Sequence, residues 1–157
     1  MEQTSRTPLG GPDFLWGAST AAHQIEGGNT LSDWWLLEES GVFPDRSGDA
    51  CDSYHRYEED IRLLAEAGLG AYRFSIEWAR IEPESGVFSA AELAHYRDMI
   101  ATCHRYGVTP VVTLHHFTHP LWFALGGGWL REDAVALFER YVTRVCEILT
   151  DVAYVVT

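Results

Sequence analysis

Polar and aromatic side chains collect at the ends of three segments that are predicted to be β-strands. The segments are 14–19, 71–76 and 108–114, each short and apolar. The polar and aromatic residues are His23, Gln24 and Glu26 after the first, Arg73, Glu77, Trp78 and Arg80 in or after the second, and His115, His116, Phe117 and His119 after the third. Amide, imidazole and guanidinium groups bind hydroxyls, and flat rings stack on the apolar faces of sugars. The pattern therefore predicts a site for a sugar-like ligand.

Arg73 stands inside an apolar strand, and a buried arginine needs an anion. One interpretation is a structural ion pair with Glu77 or with a carboxylate of a helix. The other is an arginine that keeps a catalytic carboxylate ionised. Spacing alone leaves both interpretations open.

Other candidates have ordinary explanations. Gln24, taken alone, is typical of a surface loop. His115 and His116 are poor partners for one metal ion because adjacent residues of a strand point to opposite faces, so no metal site is predicted. The glycines at 126–128 precede Trp129 but match no phosphate-binding pattern, which favours a flexible turn and gives no indication of a cofactor.

Four predicted strands alternate with three predicted helices. The fourth strand is 152–157, and the helices span about 53–67, 89–105 and 132–149. Asp52 or Ser53 is expected to cap the first helix, and Ser89 with Glu92 forms a reciprocal capping box for the second. Apolar strands joined by helical crossovers predict an α/β fold with a parallel sheet. Both an open doubly wound sheet and half of an eight-stranded barrel fit that count.

The segment 21–52 is too long for an ordinary connection and is predicted to be functional or disordered. Residues 1–12 are predicted to be a flexible lead-in. The last strand would leave an uncovered sheet edge, which favours self-association through strand edges.

The composition excludes several classes of protein. A net charge of -12 argues against binding to nucleic acid or to an anionic membrane, and the absence of lysine excludes Schiff-base chemistry. The three cysteines are widely spaced, so neither a disulfide framework nor a zinc site is expected. Residues 1–13 lack an apolar signal core, which predicts a cytoplasmic protein.

Four motifs together resemble glycoside hydrolase family 1, the β-glucosidase family. They are FLWGASTAAHQIEG at 14–27, DSYHRYEED at 52–60, YRFSIEWAR at 72–80 and VTLHHFTHPLW at 112–122. They follow one another in the family's order. The likeness covers residues 13–157, and it implies strands 1–4 of a (β/α)8 TIM barrel instead of an open sheet.

The resemblance also implies roles for individual residues in retaining hydrolysis of β-glycosides. Gln24 and His116 would hydrogen-bond the hydroxyls of the sugar, and Arg73 would hold the nucleophilic carboxylate. Phe117 and Trp129 would line the pocket. No cofactor is implied.

Several positions depart from the family pattern. Phe117 replaces a common tryptophan, Thr118 and His119 replace a common Asp-Leu pair, and Ser53 stands where histidine is frequent. These departures bear on the identity of the sugar.

The acid/base and nucleophile glutamates of the family are expected beyond Thr157, because the Asn-Glu-Pro motif follows the fourth strand. Glu26 and Glu77 match neither catalytic position. The 157-residue chain is therefore predicted to be inactive alone. The alternative is a non-catalytic sugar-binding half-barrel, or a pseudoenzyme, that pairs with itself or with a complementing chain.

Overall fold

The computed structural model describes residues 14–157. The predicted flexible lead-in at 1–12 lies outside the described residues. None of the helices between residues 14 and 157 has the length and apolar character needed to cross a lipid bilayer.

Four parallel strands form one sheet in the order in which they occur along the chain. They are β1 (Gly17–Ser19), β2 (Ala71–Ser75), β3 (Thr109–Thr113) and β4 (Tyr154–Val156). The predicted parallel sheet is confirmed, with shorter strands than predicted. A doubly wound sheet reverses its strand order at a switch point, whereas this order does not reverse, so the sheet is that of a half-barrel.

Seven α-helices and one 3-10 turn connect and cover the strands described between residues 14 and 157. They are α1 (Ala22–Ile25), α2 (Asp33–Glu39), α3 (Ser53–Glu66), α4 (Trp78–Ile81), α5 (Ala90–Arg105), α6 (Leu121–Leu125), the 3-10 turn (Gly128–Leu130) and α7 (Ala134–Cys146). The three predicted helices are α3, α5 and α7. Segment 21–52, which was predicted to be functional or disordered, is not disordered, since it contains α1 and α2.

Alternate residues of the strands face opposite sides of the sheet. Tyr72, Phe74 and Val112 are buried in the hydrophobic core with side chains of α3, α5 and α7. Arg73 and Val111 lie in register on the other face, where they are only half-buried. The long helices therefore cover one face, as the outer layer of a barrel does.

The caps of α3 and α5 differ from the prediction. The Ser89 hydroxyl accepts the backbone N–H of Glu92 at 3.2 Å, but the Glu92 carboxylate accepts from the Tyr54 hydroxyl and not from Ser89. Neither Asp52 nor Ser53 caps α3, because Asp52 has a φ of 53° and the Ser53 hydroxyl donates to Asp60. Side-chain partners from elsewhere in the fold compete with the local capping bonds.

Candidate functional site

The turn after β1 is fixed to the end of β2 by buried hydrogen bonds. The N–H of Thr20 donates to the carbonyl of Arg73 at 2.9 Å, and the N–H of Ala22 donates to the Ser75 hydroxyl at 2.7 Å. These bonds place α1, which carries Gln24, directly beyond the strand ends. Gln24 is exposed, and its carboxamide has no hydrogen-bond partner among residues 14–157.

Arg73 is the middle residue of β2 and is half-buried. Nine of the ten arginines between residues 14 and 157 form an ion pair with a carboxylate, and Arg73 is the exception. The structural pairing of Arg73 with Glu77 is therefore wrong. Glu77 is occupied by the Thr118 hydroxyl at 2.7 Å and the backbone N–H of Ala79 at 3.2 Å.

His116 lies close enough to Arg73 for their charges to interact. Burial lowers the pKa of the His116 imidazole, and the positive charge of Arg73 lowers it further. His116 is exposed and has no hydrogen-bond partner within the described chain. The structure thus brings the free imidazole of His116, just beyond β3, near the free guanidinium of Arg73 in the middle of β2.

Phe117 joins a wall of aromatic rings that segment 21–52 contributes. Its ring centroid lies 4.6 Å from that of Trp34, 5.9 Å from His23 and 5.4 Å from His116. Trp34 in turn stacks on Phe43 at 5.0 Å. Sequence reasoning missed Trp34 and Phe43, although the aromatic residues of that segment were a usable signal.

His23 is a structural member of this wall. Its Nε2–H donates to Glu38 at 2.9 Å, and its Nδ1 accepts the side-chain amide of Asn29 at 3.1 Å. Both ring nitrogens of His23 are therefore occupied, and these bonds orient α1 against α2. The free polar side chain of α1 is that of the neighbouring Gln24.

Trp129 lies in a second aromatic cluster, next to the first. Its centroid is 5.2 Å from Phe123, 5.5 Å from Phe138 and 6.3 Å from Trp78, and 45% of its surface is exposed. It makes no ring contact with Phe117 within the described part of the chain. The structure therefore places Gln24, His116 and Phe117 beyond the ends of β1 and β3, with Arg73 in the middle of β2 between them. Trp129 lies beside them on the turn before α7.

A buried polar network lies beneath these residues. Glu26 accepts from the Tyr96 hydroxyl at 2.9 Å and from the Arg80 guanidinium at 2.9 Å. Burial raises the pKa of the Glu26 carboxyl to about 7, although the charge of Arg80 lowers it, and the charge of Glu77 adds to the rise. Burial also raises the pKa of Glu77, against the hydrogen bonds from Thr118 and Ala79. Sequence reasoning listed these residues singly but missed the Glu26–Arg80 pair, whose members are 54 positions apart.

No group of three or more histidine, cysteine, aspartate or glutamate side chains within residues 14–157 is arranged to hold a metal ion. The polar groups at the strand ends are an amide, an imidazole and a guanidinium, bordered by flat rings. This combination suits a neutral, hydroxylated ring with an anion nearby.

Comparison with known proteins identifies the class. The sequence profile of glycosyl hydrolase family 1 matches residues 10–157. This chain belongs to that family. It is 37% identical over 149 residues to beta-glucosidase A of Acetivibrio thermocellus, a match that covers 89% of this chain and 33% of the relative.

Two further relatives show the range of the family. The chain is 38% identical over 150 residues to 6-phospho-beta-galactosidase 1 of Streptococcus pneumoniae, covering 90% of this chain and 31% of the relative. It superposes on the beta-glycosidase from Pyrococcus horikoshii with a TM-score of 0.87 and 47% identity, covering 90% of this chain and 34% of that one. The chain thus spans about a third of the length of these relatives, and the half-barrel predicted from the sequence is confirmed.

Proposed function

We propose that this chain supplies the sugar-binding side of the active site of a retaining β-glycosidase of the β-glucosidase type. The observation that carries the proposal is the free guanidinium of Arg73, which is half-buried in the middle of β2 and near His116. A partly desolvated arginine requires an anion, and a catalytic carboxylate would supply one.

The roles of the other residues follow from their surroundings. Gln24 and His116 have no internal hydrogen-bond partners, so their amide and imidazole groups are free to bind sugar hydroxyls. Trp129, with 45% of its surface exposed, and the half-buried Phe117 provide ring surface on which the apolar face of a pyranose stacks.

Retaining hydrolysis uses two carboxylates about 5–5.5 Å apart, one as nucleophile and one as acid/base. Glu26 and Glu77 are poor candidates because both are at least 96% buried and hydrogen-bonded into the scaffold. The proposal is therefore that the 157-residue chain binds glycosides but does not hydrolyse them by itself.

A second candidate function is that of a non-catalytic sugar-binding half-barrel that pairs with itself or with a complementing chain. The observation that favours it is β4, whose residues Tyr154, Val155 and Val156 are 50%, 45% and 37% exposed. An open apolar strand of this kind is a template for pairing. Sedimentation distinguishes the candidates, because a stable dimer that binds glycosides would support the second.

Titration with methyl β-glucoside, followed by NMR, tests the site, with a β-galactoside and a 6-phosphoglycoside in parallel. Replacing Gln24 or His116 by alanine should weaken binding about fivefold each, the effect of one lost hydrogen bond. His104→Ala is the matched control, because His104 is exposed in the last turn of α5, at the opposite end of the sheet.

Two results would contradict the proposal. Binding that is unchanged in both the Gln24 and the His116 variants would remove the site from the strand ends. Turnover of an aryl β-glucoside by the 157-residue chain at rates ordinary for glycosidases would show that it carries its own pair of catalytic carboxylates.

A further inference from the structure

His119 connects Trp129 to the start of α2 through two hydrogen bonds. The indole N–H of Trp129 donates to Nε2 of His119 at 2.7 Å. Nδ1–H of His119 donates to Oδ2 of Asp33 at 2.9 Å. An indole nitrogen can only donate, so Nε2 must be the unprotonated nitrogen of a neutral ring. The Asp33 carboxylate selects that tautomer by accepting the proton on Nδ1.

The backbone around His119 is held independently of its ring. The N–H of Asp33 donates to the carbonyl of His119 at 3.0 Å, and the N–H of His119 donates to Oδ1 of Asp33 at 2.9 Å. One step further along, the N–H of Leu121 donates to the carbonyl of Leu31 at 2.8 Å. Substitution of the imidazole therefore leaves the two segments joined, and variants at this position should fold.

We propose that His119 is a positioning residue, which holds the indole of Trp129 at the rim of the sugar site while the imidazole is neutral. The part that concerns the sugar rests on the proposed function. When His119 takes up a proton, Nε2 becomes a donor and the bond from the indole is lost, whereas the bond to Asp33 is kept. Trp129 is then held by packing alone, with 45% of its surface exposed.

Three groups around His119 have a defined charge state. Asp33 stays ionised, because the hydrogen bonds from His119 and from the backbone outweigh burial and lower its pKa. His115, 4.8 Å away between ring centroids, stays neutral, because burial and then the charge of His119 lower its pKa to about 4. Arg131, whose guanidinium lies over the Phe123 ring on which His119 also stacks, keeps its charge.

The test is the NMR signal of the Trp129 indole N–H in the 15N-tryptophan-labelled chain, assigned with Trp129→Phe. The signal should have the chemical shift of a hydrogen-bonded indole N–H, and it should change once acid has protonated Nε2 of His119. His119→Gln keeps one acceptor and one donor but cannot titrate, so its signal should stay hydrogen-bonded and constant. His119→Leu should shift the signal at every pH. His104→Gln is the control for loss of a histidine elsewhere.

Affinity for methyl β-glucoside completes the test. His119→Leu should weaken binding about fivefold near neutral pH, and His119→Gln should restore it. An indole signal that is the same in the wild type and in His119→Leu would overturn the proposal. So would a pH response that persists in His119→Gln, or equal affinities in the leucine and glutamine variants. If the wild type binds no glycoside at all, the proposed function fails, and the coupling of His119 to Trp129 is judged on the indole signal alone.

Discussion

Replacing Glu26 by glutamine should change how the stability of this chain depends on pH. Glu26 is 4% exposed and accepts hydrogen bonds from Tyr96 and Arg80. Burial raises the pKa of its carboxyl, Arg80 lowers it and Glu77 raises it, giving a pKa of about 7 against an ordinary 4.5. The folded protein thus keeps a proton on Glu26 at pH values at which the unfolded chain has released it.

The sign and size of the effect follow from that difference. Because folding raises the pKa, the contribution of the protonated group is fully present below pH 4.5 and is lost as the pH rises through about 7. The step from 4.5 to about 7 corresponds to about 3 kcal/mol, at about 1.4 kcal/mol for each pH unit. Glutamine does not titrate, so Glu26→Gln removes this pH-dependent contribution. Any other effect of the substitution on the free energy of unfolding is the same at every pH.

Urea denaturation at several pH values between about 4.5 and 8 measures the free energy of unfolding of both proteins. The free energy of unfolding of the wild type minus that of Glu26→Gln should fall by about 3 kcal/mol across that range. Groups that titrate alike in both proteins do not contribute to this difference. Glu147→Gln removes an exposed carboxylate from the chain and is the matched control. Parallel curves for the wild type and Glu26→Gln would refute the reasoning, because Glu26 would then have the same pKa in both states.

Three further predictions concern the strand ends and one helix. Arg73→Gln should change the free energy of unfolding by less than about 1 kcal/mol, because Arg73 has no ion pair within residues 14–157. The same substitution should raise the pKa of His116 in an NMR titration, and an unchanged pKa would mean that the two groups are far apart. Tyr141→Phe should lower the free energy of unfolding, measured by urea denaturation, by about 1–3 kcal/mol. The buried Tyr141 hydroxyl donates to the carbonyls of Ile76 and Leu114, just after β2 and β3, at 3.1 and 2.8 Å. An unchanged free energy of unfolding would mean that the hydroxyl does not hold the strand ends. Ser89→Ala should lower the free energy of unfolding by about 0.5–2 kcal/mol, because the cap of α5 is lost, and Ser89→Gly should lower it less. Equal losses in the two variants would mean that the cap is not the cause.

The fold could be predicted from the sequence because its signals are local. The β-branched run at 108–114 and the apolar stripes of α3, α5 and α7 are set by periodicity, and the structure contains each element within a few residues of the predicted bounds. The choice between a barrel and an open sheet depends on strand order, which periodicity does not encode. The family motifs made that choice, and the sequential order of the strands agrees with it.

The candidate site was predicted less completely, because its supporting contacts join distant residues. Glu26 and Arg80 each stand near a strand end, but nothing in either segment shows that they pair across 54 positions. One of the two interpretations paired the Glu77 carboxylate with Arg73, which is close in sequence. Thr118, which follows the next strand along, occupies that carboxylate instead. Segment 21–52 contains two helices whose packing depends on tertiary contacts such as His23 with Glu38, and such contacts override weak local propensity.

The hydrogen bonds divide the polar residues at the strand ends into two groups. Glu26, Glu77 and His23 are buried, and their polar atoms are occupied by hydrogen-bond partners within the described chain, as a scaffold requires. Gln24 and His116 have no such partner within the described chain and stand where the scaffold leaves them accessible. A polar group that folding does not use is available to a ligand at no cost in internal hydrogen bonds. Trp129 is the exception, since the one polar atom of its side chain is bonded to His119. This bond is why the charge of the imidazole should affect the proposed sugar site, although His119 itself need not touch a sugar.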